Sequence, residues 1–263
     1  KYIGFLFFWL VAILNAQDYS ALWKGHFSYL NINDIVQGNG KVFAASENAI
    51  FVYDIQTKEL ETITTINGLS GEFISTIHYS DTYNLLVIGY ENGLIEVYNE
   101  SDKSVLTVVD ILEKPTIPPD NRTINHFNEY NNVVYISTDY GISVYDLERL
   151  EFGDTYFIGP AGQEIKVYQT TIYNGDLFAV TQFYGIRKAA ITNPNLIDFA
   201  QWQLFDGGFW NGIVTFNNQL IALNANNKVY KYNGFFFDEF GTIGQPGLDI
   251  RATSNYLVVT SSS

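Results

Sequence analysis

The 263-residue chain contains no cysteine and no methionine, and only 16% of its residues are charged. Without cysteine it can form no disulfide, no thiolate metal site and no thiol nucleophile, and it cannot carry the lipid of a bacterial lipoprotein. Basic residues are scarce, since 14 lysines and arginines stand against 28 aspartates and glutamates, for a net charge of −14. Such a charge repels nucleic acid and anionic membrane surfaces, so we expect neither as a partner.

The sequence also lacks the motifs of common catalytic sites. Its three histidines, His26, His78 and His126, form neither an HExxH motif nor an i, i+4 pair, and two such histidines on one helix are what a zinc protease uses. No G-x-S-x-G elbow and no glycine-rich phosphate loop occurs. We therefore expect a protein that is not an enzyme, with no catalytic residue, no metal and no cofactor.

A long apolar run occurs at the N-terminus. Residues 2–14 follow Lys1 and precede Asn15, Ala16 and Gln17, which is the layout of a secretory signal peptide with cleavage after Ala16. A membrane anchor would need roughly 20 apolar residues, and this run turns polar before that length. The sequence predicts a signal peptide at residues 1–16 and a mature domain at 17–263. We expect that domain to be exported to the periplasm or outer-membrane cell surface of a Gram-negative bacterium, without a membrane span.

A repeat of short, aromatic-rich strands fills the rest of the chain. Its clearest copy is residues 74–99, where three apolar segments are separated by polar turns. Asparagine marks one turn of each copy, at Asn39, Asn84, Asn131, Asn174, Asn217 and Asn255, with successive spacings of 45, 47, 43, 43 and 38 residues. Asparagine and glycine tolerate the positive φ of tight hairpins. A second marker, Val-Tyr followed by Asp, Asn or Lys, recurs in step at residues 52–54, 97–99, 144–146 and 229–231.

A period near 45 residues with four short antiparallel strands is typical of a β-propeller blade. A β-sandwich requires no fixed repeat, and a leucine-rich solenoid has a period of roughly 20–29 residues. We predict an all-β propeller of four-stranded antiparallel blades, with about five nearly complete and a sixth truncated. The predicted inner strands are 34–37, 74–79, 124–127, 167–172, 212–216 and 249–253. The chain is thus expected to be a fragment that is incomplete at its C-terminus, and residues 22–30 are a candidate outer strand for the last blade.

Two histidines are candidates for the central channel. His78 and His126 lie on predicted inner strands, at near-equivalent places in two blades. They either contact a ligand or form a polar lining bonded to neighbours and water. A metal site is disfavoured because so few ligands accompany them. Acidic and amide residues at strand ends, Asp54, Asn99 and Asp146, are expected to hold the following turns rather than to act as catalytic carboxylates.

Three tyrosines are candidates for a docking surface. Tyr90, Tyr140 and Tyr184 occur at the turn between the second and third strands, on the ring face that also carries the loops between blades. One of these loops, residues 113–123, holds three of the six prolines and is predicted to be a stiff, exposed projection. Aromatic side chains beside a rigid loop suit a protein or glycan docking surface. The alternative is that these tyrosines pack locally between blades.

Two tryptophans flank a glycine pair in the connection between the fourth and fifth blades. Trp202 and Trp210 stand on either side of Gly207 and Gly208. Their rings could stack on a sugar, or they could form an aromatic plug beneath a loop. The sequence leaves both interpretations open.

Several blocks resemble the N-terminal β-propellers of the PorZ family of the Bacteroidetes type IX secretion system. They are FSYLNINDI (27–35), ENAIFVYD (47–54), ELETITTINGLS (59–70), NNVVYISTDYGISVYD (131–146), YGIRKA (184–189) and NNQLIAL (217–223). The resemblance extends over residues 23–232. It implies a non-catalytic scaffold, adaptor or ligand-binding propeller of the attachment complex. Its implied partners are the signal-peptidase/sortase that matures cargo and the anionic lipopolysaccharide that this enzyme attaches.

A second resemblance concerns the repeat alone. LVIGYENGLIEVYN (86–99) is similar to the propeller repeats of periplasmic two-component regulators. It implies, as an alternative, the periplasmic ligand-sensing propeller of a hybrid regulator. Those repeats usually carry tryptophan in the second strand, where this chain has Tyr135 or Leu86-Val87. This departure favours the secretion-system interpretation.

Overall fold

The computed structural model describes residues 31–261. Its strands form six antiparallel sheets, five of four strands and one of two, and each sheet is made of strands consecutive in sequence. The predicted all-β propeller fold is confirmed, including five four-stranded blades and a sixth that has its first two strands. The predicted signal peptide, residues 1–16, and the candidate outer strand, residues 22–30, lie outside the described residues.

The strands alternate with short turns along the whole described chain. Blades 1 to 3 contain β1 (Asp34–Gly38), β2 (Lys41–Ala45), β3 (Ile50–Asp54), β4 (Leu60–Ile63), β5 (Ile74–Ser80), β6 (Leu85–Tyr90), β7 (Ile95–Asn99), β8 (Val105–Val108), β9 (Ile124–Tyr130), β10 (Val133–Thr138), β11 (Gly141–Asp146) and β12 (Glu151–Tyr156). Blades 4 to 6 contain β13 (Val167–Tyr173), β14 (Asp176–Thr181), β15 (Gly185–Ala190), β16 (Gln203–Asp206), β17 (Trp210–Phe216), β18 (Gln219–Asn224), β19 (Lys228–Tyr232), β20 (Phe237–Thr242), β21 (Gly247–Ala252) and β22 (Leu257–Ser261).

Helix is limited, within residues 31–261, to short 3-10 turns. They are Thr65–Asn67, Pro119–Asn121, Pro160–Gly162 and Phe199–Gln201. Over the same residues no helix has the length and apolar character needed to cross a membrane.

Asparagine forms the tight turns, as predicted, in five blades. The left-handed residues are Asn39, Asn84, Asn131, Asn174 and Asn217, with φ between 47° and 57°. Asn255 does not adopt positive φ; its N–H donates to the hydroxyl of Thr253 instead. The predicted role of the strand-end side chains is confirmed as well. Asp54 and Asp146 accept hydrogen bonds from backbone N–H groups two and three residues further on.

The core lies between neighbouring blades. Blades 2 to 5 each present one apolar face to the blade before and one to the blade after, so that five buried clusters lie between the six successive blades. Between blades 1 and 2, for example, Phe43 stacks on Tyr79 with ring centroids 4.9 Å apart. Burial of such faces supplies the main favourable free energy of the fold.

A β-bulge recurs near the start of five inner strands, β5, β9, β13, β17 and β21. A bulge inserts one unpaired residue and re-aims the side chains around it. In β9 and β17 the unpaired residues are Asn125 and Asn211. Each sends its side-chain amide to a carbonyl of the next blade, to Val167 at 2.9 Å and to Gly247 at 2.7 Å.

Candidate functional site

The two histidines lie on inner strands as predicted. His78 on β5 and His126 on β9 line a cavity of about 230 Å³ at the centre of the ring. Their positions are close to equivalent but offset, because strand pairing aligns His78 with Asn128 and places His126 two residues earlier. His78 Nε2 lies 2.8 Å from Glu129 Oε2. His126 is buried, and burial lowers its pKa well below the usual value.

Two of the three candidate docking tyrosines are buried. Tyr90 donates its hydroxyl to the carboxylate of Glu96, and the Tyr140 hydroxyl lies 2.6 Å from that of Ser143. Burial raises the pKa of Tyr140 to about 12. The prediction that these two rings stand on an exposed face is wrong. Both rings are buried, and each hydroxyl bonds to a polar side chain on the following strand. Local packing between blades, the alternative interpretation, describes them.

Tyr184 is the candidate tyrosine that stays at the surface. It is 40% exposed, and its neighbour Phe183 is 75% exposed. Strand pairing places Arg187 of blade 4 where Ser143 stands in blade 3, so YGIS at residues 140–143 corresponds to YGIR at 184–187. A guanidinium has no acceptor for a phenol. Blade 4 therefore lacks the interaction that holds Tyr140 inside. Its turn is also one residue longer, since three residues separate the paired Thr181 and Gly185 where two separate Thr138 and Gly141.

Phe183 and Tyr184 border a cavity of about 260 Å³ between blades 3 and 4. This cavity is called the aromatic cleft, and its wall also contains Asn121, Asp139, Glu164 and Lys166. Lys166 Nζ forms an ion pair with Asp139 Oδ1 at 2.8 Å on its wall. The cleft thus combines two exposed rings with a polar rim.

The backbone of Phe183 is left-handed, with φ at 69°. Comparable turns use glycine or asparagine for this conformation, as at Gly93 in blade 2 and Asn227 in blade 5. A bulky residue in this region is an outlier, because Cβ crowds the following carbonyl. Phe183 was not among the residues predicted to form a site, although the sequence shows that it lies in a turn next to Tyr184.

The proline-rich loop reaches the same cleft. The guanidinium of Arg122 donates to the carbonyls of Leu112, Lys114 and Ile117, which ties the two ends of the loop together. Ile117 is buried in the core between blades 2 and 3. Most of the loop is exposed, as predicted, but Ile117 and Arg122 anchor it to the ring. Its residue Asn121 lies at the cleft.

Both candidate tryptophans belong to the core. Trp202 donates its indole N–H to the carbonyl of Leu196 at 2.9 Å and packs against Tyr156. Trp210 donates to Asp206 Oδ1 at 2.9 Å and packs against Phe237, with centroids 4.9 Å apart. Neither ring face is open to a sugar. The plug interpretation is correct for both, and the sugar-stacking interpretation is wrong.

Comparison with known proteins agrees with this architecture. The family model for the N-terminal β-propeller domain of PorZ from the type IX secretion system matches residues 42–203. PorZ of Porphyromonas gingivalis, described as an essential bacterial surface component of that system, is 21% identical with a TM-score of 0.75, over 88% of this chain and 30% of its own. A comparison with curated proteins gives no match.

Extracellular domains from B. thetaiotaomicron are similar in fold. One, described as part of a one component system, has a TM-score of 0.66 at 15% identity, over 90% of this chain and 33% of its own. Another, described as part of a hybrid two component system, has a TM-score of 0.66 at 15% identity, over 88% and 32%. This chain spans about a third of the length of these solved proteins.

The similar solved structures establish the fold, and the match to the family model also establishes the family. The matched span, residues 42–203, is more than half of the 263-residue chain. It includes the blocks quoted above from residues 47–54, 59–70, 131–146 and 184–189. The chain belongs to the PorZ N-terminal β-propeller family of the type IX secretion system.

Proposed function

We propose that this propeller is a non-catalytic docking module of the type IX secretion attachment complex, and that it holds a protein partner at the aromatic cleft. The observation that carries the proposal is Phe183, which keeps a left-handed backbone although the residue is 75% exposed. A left-handed conformation costs a non-glycine residue about 1–2 kcal/mol. Strain of this kind persists mainly at binding and catalytic sites, and exposed aromatic rings are common anchors of protein interfaces.

The surroundings of Phe183 fit an interface. The Lys166–Asp139 ion pair and Asn121 give the cleft a polar rim around its aromatic residues. Interfaces commonly combine an apolar centre with such a rim. Because Arg122 fixes the loop that carries Asn121, a partner would meet a preformed surface and lose little entropy in ordering it.

The proposed partner is the signal-peptidase/sortase of the attachment complex, as the family resemblance implies. In this role the propeller assists cargo maturation and the attachment of anionic lipopolysaccharide. The net charge of −14 opposes direct binding of an anionic polysaccharide, so the lipopolysaccharide is proposed to act through the enzyme. The protein would work in the periplasm or at the outer-membrane surface after removal of residues 1–16.

The alternative function is a ligand-sensing propeller of a hybrid two-component regulator. The fold likeness to extracellular domains of such systems, with a TM-score of 0.66, favours it. The gene sequence downstream of residue 263 distinguishes the two functions. A membrane span followed by kinase sequence supports the regulator, whereas a second propeller and a β-sandwich secretion domain support the attachment complex.

Binding of the purified signal-peptidase/sortase to variants of the full-length protein tests the docking role. We expect Tyr184→Ala and Phe183→Gly each to weaken binding at least tenfold, as for interface anchors. Tyr130→Ala is the matched control, because Tyr130 is 41% exposed and lies at the opposite end of its blade, beside the turn at Asn131. Equal affinity of all three variants for the enzyme would contradict the proposal.

A further inference from the structure

The aromatic cleft carries an exposed carboxylate that the fold leaves almost unused. Glu164 follows the 3-10 turn Pro160–Gly162 and lines the cleft. Its Oε2 accepts one long hydrogen bond from Asn121 Nδ2, at 3.4 Å, and its Oε1 has no partner within residues 31–261. A hydrogen bond of this length is weak. Because the side chain is exposed, its carboxylate is open to a ligand.

The backbone that carries Glu164 is held on both sides. The N–H of Gly159 donates to the carbonyl of Gln163 at 3.1 Å, and the N–H of Gly162 donates to the carbonyl of Gly159 at 2.9 Å. The following side chain, Ile165, is buried. The root of the carboxylate is therefore fixed before a ligand arrives, which reduces the entropy lost on binding.

The other charged side chains on the cleft wall already have partners. Lys166 Nζ pairs with Asp139 Oδ1 at 2.8 Å, and the same oxygen accepts from Asn125 Nδ2 at 2.8 Å. Arg187 of blade 4 does not line the cleft. Two carboxylates and one ammonium group thus leave a single negative charge on the wall, and Glu164 carries it. This wall attracts a cation.

The two aromatic rings suit the same ligand. Phe183 is 75% exposed and Tyr184 is 40% exposed, and neither ring packs on another ring or on a cation in the described part of the chain. The face of an aromatic ring attracts a cation, most often the guanidinium of arginine. A guanidinium also pairs with a carboxylate through two parallel hydrogen bonds, whereas the ammonium of lysine acts as a point charge.

We infer that the aromatic cleft binds an arginine side chain of the protein partner, which stacks on Phe183 or Tyr184 and pairs with Glu164. The cleft volume of about 260 Å³ equals roughly nine waters, at about 30 Å³ each. It lies below the range of about 300–1,000 Å³ that is typical of drug-sized ligands, and it suits one long side chain. The inference rests on the proposed function and adds the chemical class that the cleft selects.

The test is an NMR titration of the full-length protein with N-acetyl-L-arginine amide, with the methyl groups of Ile165 in the cleft wall as reporter. N-acetyl-L-citrulline amide, which has a similar shape without the charge, and N-acetyl-L-glutamate amide, an anion, are titrated alongside. We expect the arginine compound to bind about tenfold more tightly than the citrulline compound, because it gains both the ion pair and the contact with the rings. The glutamate compound should bind least tightly.

Glu164→Gln removes the charge but keeps an oxygen that accepts the bond from Asn121. It should weaken binding of the arginine compound about threefold, as for one solvent-exposed ion pair. Tyr184→Leu should weaken this binding by a similar factor, because it removes a ring face. The matched control is Glu148→Gln, which should bind like the parent. Glu148 is exposed in the same blade, but it lies outside the cleft, beside the turn at Asn131.

The inference is overturned if the arginine compound does not bind, or if the citrulline or glutamate compound binds as tightly. Equal affinity of Glu164→Gln and Glu148→Gln for the arginine compound would overturn it as well.

Binding of the proposed enzyme partner separates this inference from the proposed function. Glu164→Gln should bind the enzyme about threefold more weakly than Glu148→Gln does. If Tyr184→Ala weakens enzyme binding but Glu164→Gln does not, the docking function stands and the inference of an arginine is wrong. If the enzyme does not bind the parent protein at all, the proposed function fails, and the titration with the arginine compound alone decides which ligand class the cleft selects.

Discussion

The side-chain amide of Asn125 in blade 3 donates to the carbonyl of Val167, the first residue of the inner strand of blade 4, at 2.9 Å. Asn33 forms the corresponding bond to Ile74 at 2.9 Å. In β9 the asparagine is the unpaired residue of a bulge. The bulge thus turns a side chain toward the next blade, and the bond fixes the relative position of two neighbouring inner strands.

Removing this bond should weaken the ring. We predict that Asn125→Ala destabilises the protein by about 1–3 kcal/mol, because it leaves the carbonyl of Val167 unsatisfied and also removes a bond to Asp139. Urea unfolding measures the change. Asn132→Ala is the control, since the amide of Asn132 bonds to Asp146 within its own blade, and it should cost less. Equal effects of the two variants would contradict a special role between blades.

The buried carboxyl of Glu96 should make stability depend on pH. Burial raises its pKa above the ordinary value of 4.5, although the bonds from Tyr90 and Ser70 oppose the shift. The native state then binds the proton more tightly than the unfolded chain. The stability contributed by this group is complete below about pH 4.5 and is lost as the pH rises through the native pKa.

We therefore predict that Glu96→Gln, which cannot ionise, gains stability relative to the parent as the pH rises from about 4 to about 7. Urea unfolding at a series of pH values checks this. Tyr90→Phe removes a bond that lowers the pKa of Glu96, so in this variant the loss should move to higher pH. A stability difference between Glu96→Gln and the parent that stays constant with pH would refute the assignment.

The repeat made the fold predictable, because turn chemistry is local. Asn39, Asn131 and Asn174 each adopt the positive φ that their residue type permits, and the spacing between such turns defines the blade. The burial of side chains at the turn between the second and third strands could not be predicted from the local turn residues. Tyr140 and Tyr184 stand in similar segments, but the first ring is buried and the second is exposed. The turn of blade 4 is one residue longer, and Arg187 stands where blade 3 has Ser143.

The contacts that line the central channel could not be predicted from the repeat either. That His126 lies on an inner strand followed from the repeat, but its contact with Gln169, which belongs to another blade, did not. Contacts between blades combine residues about 43 positions apart. No pattern within one repeat specifies them. The sequence likewise shows asparagine at positions 125 and 211, but it does not show that their side chains bond to the next blade.

Exchange of one residue should turn Tyr184 inward. Arg187 Nε and Nη1 are buried without partners, and burial lowers the pKa of this guanidinium. We predict that Arg187→Ser, which recreates the YGIS segment of blade 3, stabilises the protein and buries the Tyr184 ring against the new hydroxyl. Nitration of tyrosines followed by mass spectrometry measures the accessibility of Tyr184. Unchanged nitration of Tyr184 in this variant would count against the account of its exposure.

The strain at Phe183 should be measurable as stability. Glycine adopts φ near 69° without the Cβ clash but loses more entropy on folding. We predict that Phe183→Gly stabilises the protein by about 0.5–1 kcal/mol, since the exposed ring contributes little to the core. Thermal or urea unfolding checks the sign. Phe183→Ala, which keeps the Cβ, is the control and should show no gain.

Photo-crosslinking from the aromatic cleft tests the docking role most directly. A photoreactive phenylalanine analogue is placed at Phe183 in the full-length protein, and at Tyr130 as the matched exposed control. In cells that assemble the attachment complex, we predict a crosslink from position 183 to the signal-peptidase/sortase and none from position 130. Absence of this crosslink from position 183, or equal crosslinking from both positions, would contradict docking at the cleft.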